Sequence, residues 1–215
     1  PWPGAKSTGR RLAFARWLTQ PDNPLTARVM VNRIWKLHFG HGLVRSLGNF
    51  GKMGDPPTHP ELLDWLAREF VRQGWSMKSM HRLMMTSNTY RQTSTVTPRH
   101  EQLDPGNRLL ARMPLRRMEA EELRDSLLWV AGQLDENRFG PAEAVTVRKD
   151  GLVLSGKRRS VYVQHLRKKP PSLLESCDLP AMNPNCLQRS ESLVAPQALH
   201  LLNDTAVREL AAQFA

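Results

Sequence analysis

Cysteine is nearly absent from this sequence: there are two, Cys177 and Cys186. With no Cys-x-x-Cys and no Cys-x-x-Cys-His, the chain itself carries neither a thioredoxin-type redox pair nor a c-type haem attachment. The two thiols lie in a Pro- and Asn-containing stretch, where an oxidising compartment could close a small ring and a reducing one would leave two unrelated thiols. Long apolar runs are missing too; none reaches the roughly 18 residues a membrane span requires. No Gly-x-Ser-x-Gly nucleophile elbow is present, and "GNFGKMG" lacks both the strand-to-helix setting and the Lys-Ser/Thr ending of a P-loop. Internal repeats and low-complexity tracts are also wanting. The chain opens on Pro1-Trp2-Pro3-Gly4 without an initiator Met, as expected of a piece of a longer polypeptide, so the lack of a leader says nothing about compartment.

Positive charge is what the sequence has in excess. Its 31 Lys/Arg outnumber 20 Asp/Glu, a net +11. Residues 1–60 hold nine basic against two acidic side chains, and residues 151–176 hold six against one. Residues 101–150 reverse the balance, with eight against ten. Charge concentrated in this way favours an anionic partner: nucleic acid, acidic polysaccharide or an acidic protein surface. A basic, soluble surface without such a partner has the same composition.

At 215 residues the chain is long enough to bury a sizeable core. Periodicity predicts a mainly α fold, a multi-helix domain with a small late β-hairpin or three-stranded sheet. We read residues 1–215 as a single domain, with a helical part over about 10–135, a β insertion over about 143–165 and a last helix over about 196–213. Asn23-Pro24 signals the start of the second helix and Gly40 its stop. Thr58 and Glu61 have capping-box spacing before the third helix, which should end at Gly74. Ser76 caps a fourth helix, "MKSMHRLMMTSNTY", whose Met stripe reads as core. Residues 92–108 read as loop, and "RRMEAEELRDSLLWVAGQL" as a fifth helix. Beyond Gly140-Pro141, "AVTV", "LVL" and "SVYVQH" alternate as short strands, with Asp150-Gly151 as a turn.

The second helix carries the chief functional candidates. On a 100° wheel Met30, Val31, Ile34 and Leu37 make an apolar face, while Arg28, Asn32, Trp35, Lys36 and Phe39 fall together on another. Guanidinium groups grip carboxylate, phosphate or sulfate in a bidentate way, and aromatic faces stack on sugars or bases. This stripe, with neighbouring Arg33, therefore suits binding better than bond-breaking. Tyr90-Arg91 offers the same chemistry. The competing expectation is that Arg28 and Arg33 clamp loop carbonyls or carboxylates of the fifth helix. Residues 40–58 form a Gly/Pro-rich connection of the length that more often carries function. His38, His41, Asp55 and His59 offer metal-ligand types, but Gly40 separates the two first histidines, so no metal is expected. Glu119, Glu121, Glu122 and Asp125, interleaved with Arg117 and Arg124, read as an ion-pair network.

The run "PLTARVMVNRIWKLHFGHGLV", followed by "NFGKMGDPPTHPELLDWLAREFVRQGWSMKSMHRLMMTSNTYRQTS", resembles the planctomycete-type domain of unknown function 1553, or planctomycete-specific domain one. The likeness continues through "NRLLARMPLRRMEAEELRDSLL", "RRSVYV" and "VAPQALHLLND". Its motif positions include Arg28, Asn32, Arg33, Trp35, Phe39, Asn49, His59, Tyr90 and Arg91, which we take as candidate binding residues. The resemblance implies the C-terminal part of a large exported bacterial protein, often with a cytochrome-like domain upstream, and it brings no catalytic set. Haem would then belong to an upstream domain, with no cofactor in this segment. The expected role is an extracytoplasmic accessory domain docking such a neighbour or an anionic polysaccharide. One alternative is a carbohydrate-active or redox-linked enzyme using His38, His59 and Asp55. A second is nucleic-acid binding through Lys157-Arg158-Arg159 and Arg167-Lys168-Lys169, which export would disfavour.

Overall fold

A computed structural model describes residues 7–181, 186 and 188–215. The opening Pro1-Trp2-Pro3-Gly4 and most of the Pro/Asn stretch between the cysteines lie outside the described residues. The fold is mainly α with one small antiparallel hairpin. It forms two compact units, one ending at Arg116 and the other spanning Arg117–Ala215.

The first unit contains α1 (Arg10–Leu18), α2 (Thr26–Phe39), α3 (Pro60–Arg72), α4 (Met77–Met85), α5 (Asn88–Arg91) and α6 (Pro98–Leu103). Asn23 prepares α2 as its sequence predicts, though the helix begins two residues later than Pro24. Its Oδ1 accepts from the Leu25 and Thr26 amides at 3.0 Å each, taking up donors that a helix start leaves without partners. Gly40, at φ 78°, ends the helix. The core gathers Val31, Ile34, Trp35 and Phe39 of α2, Leu63, Leu66 and Phe70 of α3, and Met80 and Met84 of α4. Met80 and Met84 of the stripe are thus core packing, while Met77 and Met85 are exposed.

Four expectations need correction here. The buried side of α2 is Ala27, Val31, Asn32, Ile34, Trp35 and Phe39, while Leu37 is 54% exposed. The two aromatics carry more apolar area than Met30 and Leu37, so the helix turns them inward. The Thr58 hydroxyl does not cap α3; Thr58 bonds the Leu43 carbonyl through both its amide and its hydroxyl, and His59 takes the cap position. The fourth helix breaks at Thr86-Ser87, where the Ser87 hydroxyl donates to the Met84 carbonyl and accepts from the Tyr90 amide. Residues 92–108 are not all loop: Thr97-Pro98 starts the short α6, which buries no residue and so leaves no apolar stripe to read.

The second unit holds α7 (Ala120–Val130), the hairpin β1 (Thr146–Val147) and β2 (Val153–Leu154), α8 (Ser172–Ser176), α9 (Ala195–Asn203) and α10 (Thr205–Phe214). Thr146 pairs with Leu154 and Val147 with Val153. The expected third strand is a 3-10 turn over Ser160–Tyr162 instead. Arg124 and Asp125 of α7 gather the segment leading into that turn. The Arg124 guanidinium takes the carbonyls of Gly156 and Arg158 together with the Ser155 and Ser160 hydroxyls, and Asp125 accepts from the Ser160 amide and hydroxyl at 2.8 and 2.6 Å. Beyond the turn, Val163 makes an isolated parallel bridge to Glu143, whose amide donates to the Tyr162 carbonyl and whose carbonyl accepts from the Gln164 amide. The single last helix expected from the sequence divides at Asp204, whose carboxylate caps α10 through the Val207 amide. The carboxylates of α7 do form ion pairs: Arg189 grips Glu121 with two bonds of 2.6 and 2.9 Å and approaches Glu119. Cys177 and Cys186 are both free thiols, the first buried and the second exposed.

Candidate functional site

The stripe on α2 is largely internal. Asn32, 1% exposed, donates to the Val44 carbonyl and accepts from the Val44 amide, both at 2.9 Å. Arg28 clamps the Pro24 carbonyl and Asp64 of α3, each at 2.6 Å. The Asp64 carboxyl is held below the usual range chiefly by that hydrogen bond. Trp35 stacks on Phe39 with ring centroids 4.1 Å apart, and both are buried. Tyr90 meets Phe39 and His38 edge-on. Asn49 donates to the Met53 carbonyl and orders the 40–58 loop, and the His59 ring contacts the Thr58 hydroxyl at 3.0 Å. Arg33 and Arg91 are exposed. Of the nine candidates, these two arginines and Asn49 are exposed, Arg28, His59 and Tyr90 half-buried and Asn32, Trp35 and Phe39 buried, so the stripe does not form one outward ridge.

The stripe instead builds a cleft in the first unit. Asn32 fixes Val44, and Gly42 lies against the Asn32 amide so closely that a Cβ there would stand 2.8 Å from it and 2.5 Å from the Val44 carbonyl oxygen. The segment 41–45 is thereby pinned, with His41 and Arg45 pointing to its exposed side. Trp35 and Phe39 supply the floor of a cleft of about 290 Å³, whose far wall comes from residues 94–115. That wall is fixed by its own side chains. Asn107 spans to the backbone of Arg112 from both ends of its amide, Gln92 donates to the Leu110 carbonyl at 2.7 Å, and Asp104 accepts from the amides of Arg108 and Leu109. Those two amides hold the Asp104 carboxyl below its ordinary pKa. Leu110 takes a left-handed backbone, φ 55°, uncommon for a branched residue.

The formally charged side chains lining the cleft are arginines, with the Asp104 carboxylate beside the wall close enough to interact with Arg112 and Arg108. Arg45, Arg108, Arg112 and His41 line it, and no Asp or Glu does. Arg112 spends part of its guanidinium on the carbonyls of Pro105 and Asp104, at 3.0 and 3.5 Å, which orients it. Arg45 and Arg108 are exposed. Such a set can neutralise a carboxylate, phosphate or sulfate in a setting that is otherwise apolar. Sequence reading missed these arginines. Their signal was weak: Arg108 and Arg112 stand four apart in a Pro/Gly-flanked segment without helical pattern, and Arg45 is distant in the chain.

The remaining candidates are placed as follows. His38 Nε2 lies 2.8 Å from His81 Nδ1. Burial, then the charges of His81 and Arg116, push the His38 pKa below its ordinary value, so the ring is neutral at neutral pH. The Asp55 amide donates to Ser46 Oγ in the exposed loop. Among the described residues no three His, Cys, Asp or Glu side chains gather as metal ligands would. Arg158 is turned to the carbonyls of Pro141, Asn137 and Phe139 and covers the Tyr162 ring at 4.5 Å, while Arg167, Lys168 and Lys169 are exposed. No helix is long and apolar enough to cross a membrane among the described residues.

In comparison with known proteins, the profile of the family described as PSD1, protein of unknown function (DUF1553), matches residues 10–215. No curated protein and no solved structure matches the chain.

Proposed function

Since the chain belongs to the PSD1 family of proteins of unknown function (DUF1553), we propose its role from the geometry of the cleft: it is an accessory interaction domain that grips an anionic group of a partner. The observation that carries this reading is the ring of Arg45, Arg108, Arg112 and His41 around an aromatic-floored cleft that no carboxylate lines. Two partners carry suitable groups, an acidic glycan and an acidic surface on a neighbouring, cytochrome-like domain of the same polypeptide. An extracytoplasmic setting, as the family resemblance implies, would expose the cleft to either. The buried α2 stripe serves as the frame that presents the cleft, and the docking face moves from that stripe to the arginines it positions.

The test uses the chain with Arg45→Ala and Arg108→Ala, both exposed residues whose loss leaves the core intact. Binding to sulfated polysaccharide and to the upstream domains is measured by titration at several salt concentrations. Each substitution is expected to weaken the interaction about tenfold and to flatten its salt dependence. Equal affinity of wild type and the double variant for both partners refutes the reading.

A further inference from the structure

The chemistry of the cleft walls narrows the ligand, on the premise that the cleft grips an anion. We infer that it takes an acidic side chain flanked by apolar ones, carried on a short extended stretch of polypeptide from a partner protein, and not a glycan.

Three observations favour a peptide. The first is the lining. Beside its cationic rim and the polar Thr58, Ser94 and Asn107, the cleft is walled by Val96, Leu110, Met113 and Leu115, with Val96 47% and Leu115 84% exposed. Apolar side chains left in water at the edge of a concave site gain by being covered with apolar surface. Second, acceptors for sugar hydroxyls are few: Ser94 and Thr58 line the cleft, and the Thr58 hydroxyl is already bonded to the Leu43 carbonyl and the His59 ring. No Asp, Glu or Gln lines the cleft, and the Asn107 amide is already committed at both ends to Arg112. Hydroxyl protons desolvated there would find few acceptors, which is unfavourable. Trp35, only 6% exposed and stacked on Phe39, leaves no open aromatic face as a sugar platform. The third observation is size. About 290 Å³ sits at the lower end of the range for ligand pockets, roughly 300 Å³ upward, and suits a few side chains.

The arginines then supply orientation. Arg112 is already held by two carbonyls, so its remaining donors are pre-set, while Arg45 and Arg108 are supplied by the two separate chain segments that line the cleft. The left-handed Leu110, tied by Gln92, belongs to the apolar wall such a ligand would touch. Backbone held in a sparsely populated region by surrounding bonds is a recurrent feature of ligand clamps.

The experiment is a display selection of random peptides on the full chain, counter-selected on the Arg45→Ala/Arg108→Ala double variant, with a sulfated oligosaccharide titrated in parallel. Selected peptides are expected to pair Asp or Glu with Leu, Ile, Phe or Met. They should weaken about tenfold on either arginine variant and measurably on Leu115→Ser, an exposed position whose change does not disturb folding. Peptides enriched without acidic residues, or none enriched beyond the counter-selection, overturn the inference. If none is enriched but the oligosaccharide binds in an arginine-dependent way, the peptide inference falls while the anion-gripping reading stands. If neither ligand depends on the arginines, both fall.

Discussion

Replacing Asn32 with Leu tests whether the second helix works as a frame. Asn32 is 1% exposed and holds both polar groups of the Val44 backbone at 2.9 Å. Leu fills a similar volume but satisfies neither. Each buried backbone group left unpaired costs about 1–3 kcal/mol, so the substitution should destabilise the first unit by about 2–6 kcal/mol. Against a total stability of about 5–15 kcal/mol for a folded domain, that is a large share. Urea unfolding reports the magnitude, and amide exchange at Val44 reports the location: protection should be lost there first. Asn32→Asp sharpens the test. A carboxylate can still accept from the Val44 amide, but its second oxygen would face the Val44 carbonyl, and only the protonated acid can donate to it. Burial and that opposed carbonyl raise the folded-state pKa of such an Asp. The stability linked to its proton is present below the unfolded pKa and is lost as pH rises through the folded one. Asn32→Asp should therefore lie nearest wild type in acid and diverge towards neutrality. If Asn32→Leu unfolds within about 0.5 kcal/mol of wild type, the ordinary scatter of surface changes, with Val44 still protected, the clamp is not what holds segment 41–45.

Three other outcomes are expected. Arg124→Met should destabilise the second unit by about 3–5 kcal/mol, because it removes the cation beside Asp125 and leaves without a partner two carbonyls that the buried guanidinium satisfies; unchanged denaturant midpoints would contradict this. Glu69, hydrogen-bonded by Arg72 and Gln73, has its pKa lowered from 4.5 to about 2. Its contribution is present above the unfolded value and is lost as pH falls from 4.5 towards 2, so Glu69→Gln should flatten the stability profile in that window, by a small amount because Arg72 is exposed. In thiol titration of the native protein under reducing-agent-free conditions, Cys186 should react at once and Cys177, 4% exposed, only on unfolding; two fast thiols would show that α8 does not cover Cys177.

Local signals were legible in the sequence. The Asn23 start, the Gly40 stop, the Ser76 cap, the core placing of Met80 and Met84 and the turn before β2 each depend on a few adjacent residues, and each is found close to where the chain announces it. The ion pairing of α7 was legible for the same reason, although Glu121 chose Arg189, sixty-eight residues away, over its helical neighbour Arg124. The phase of α2 was not legible. A 3.6-residue repeat states that a helix has two sides, but the choice between burying Met30 and Leu37 or Trp35 and Phe39 depends on what α3 and α4 bring to meet it. The third strand failed for a related reason: alternation over 160–165 is a strand signal, but the Ser160 amide is taken by Asp125 of α7 and the chain turns there, leaving Val163 to make an isolated bridge to Glu143.

The cleft lay beyond sequence reading because its parts are neither adjacent nor periodic: two short segments, 41–45 and 94–115, meet over a helix that contributes only its buried side. That arrangement decides how binding experiments on this chain must be built. Asn32, Trp35 and Phe39 look like ligand residues because polar and aromatic groups on one helix face usually are. Yet substituting any of them removes a backbone partner or a core ring, and loss of binding would follow from loss of the cleft's shape whatever the ligand is. Arg45 and Arg108 stand outside that frame. Their substitution alters the charge presented and leaves the frame's contacts in place, so only the rim arginines can separate recognition from folding.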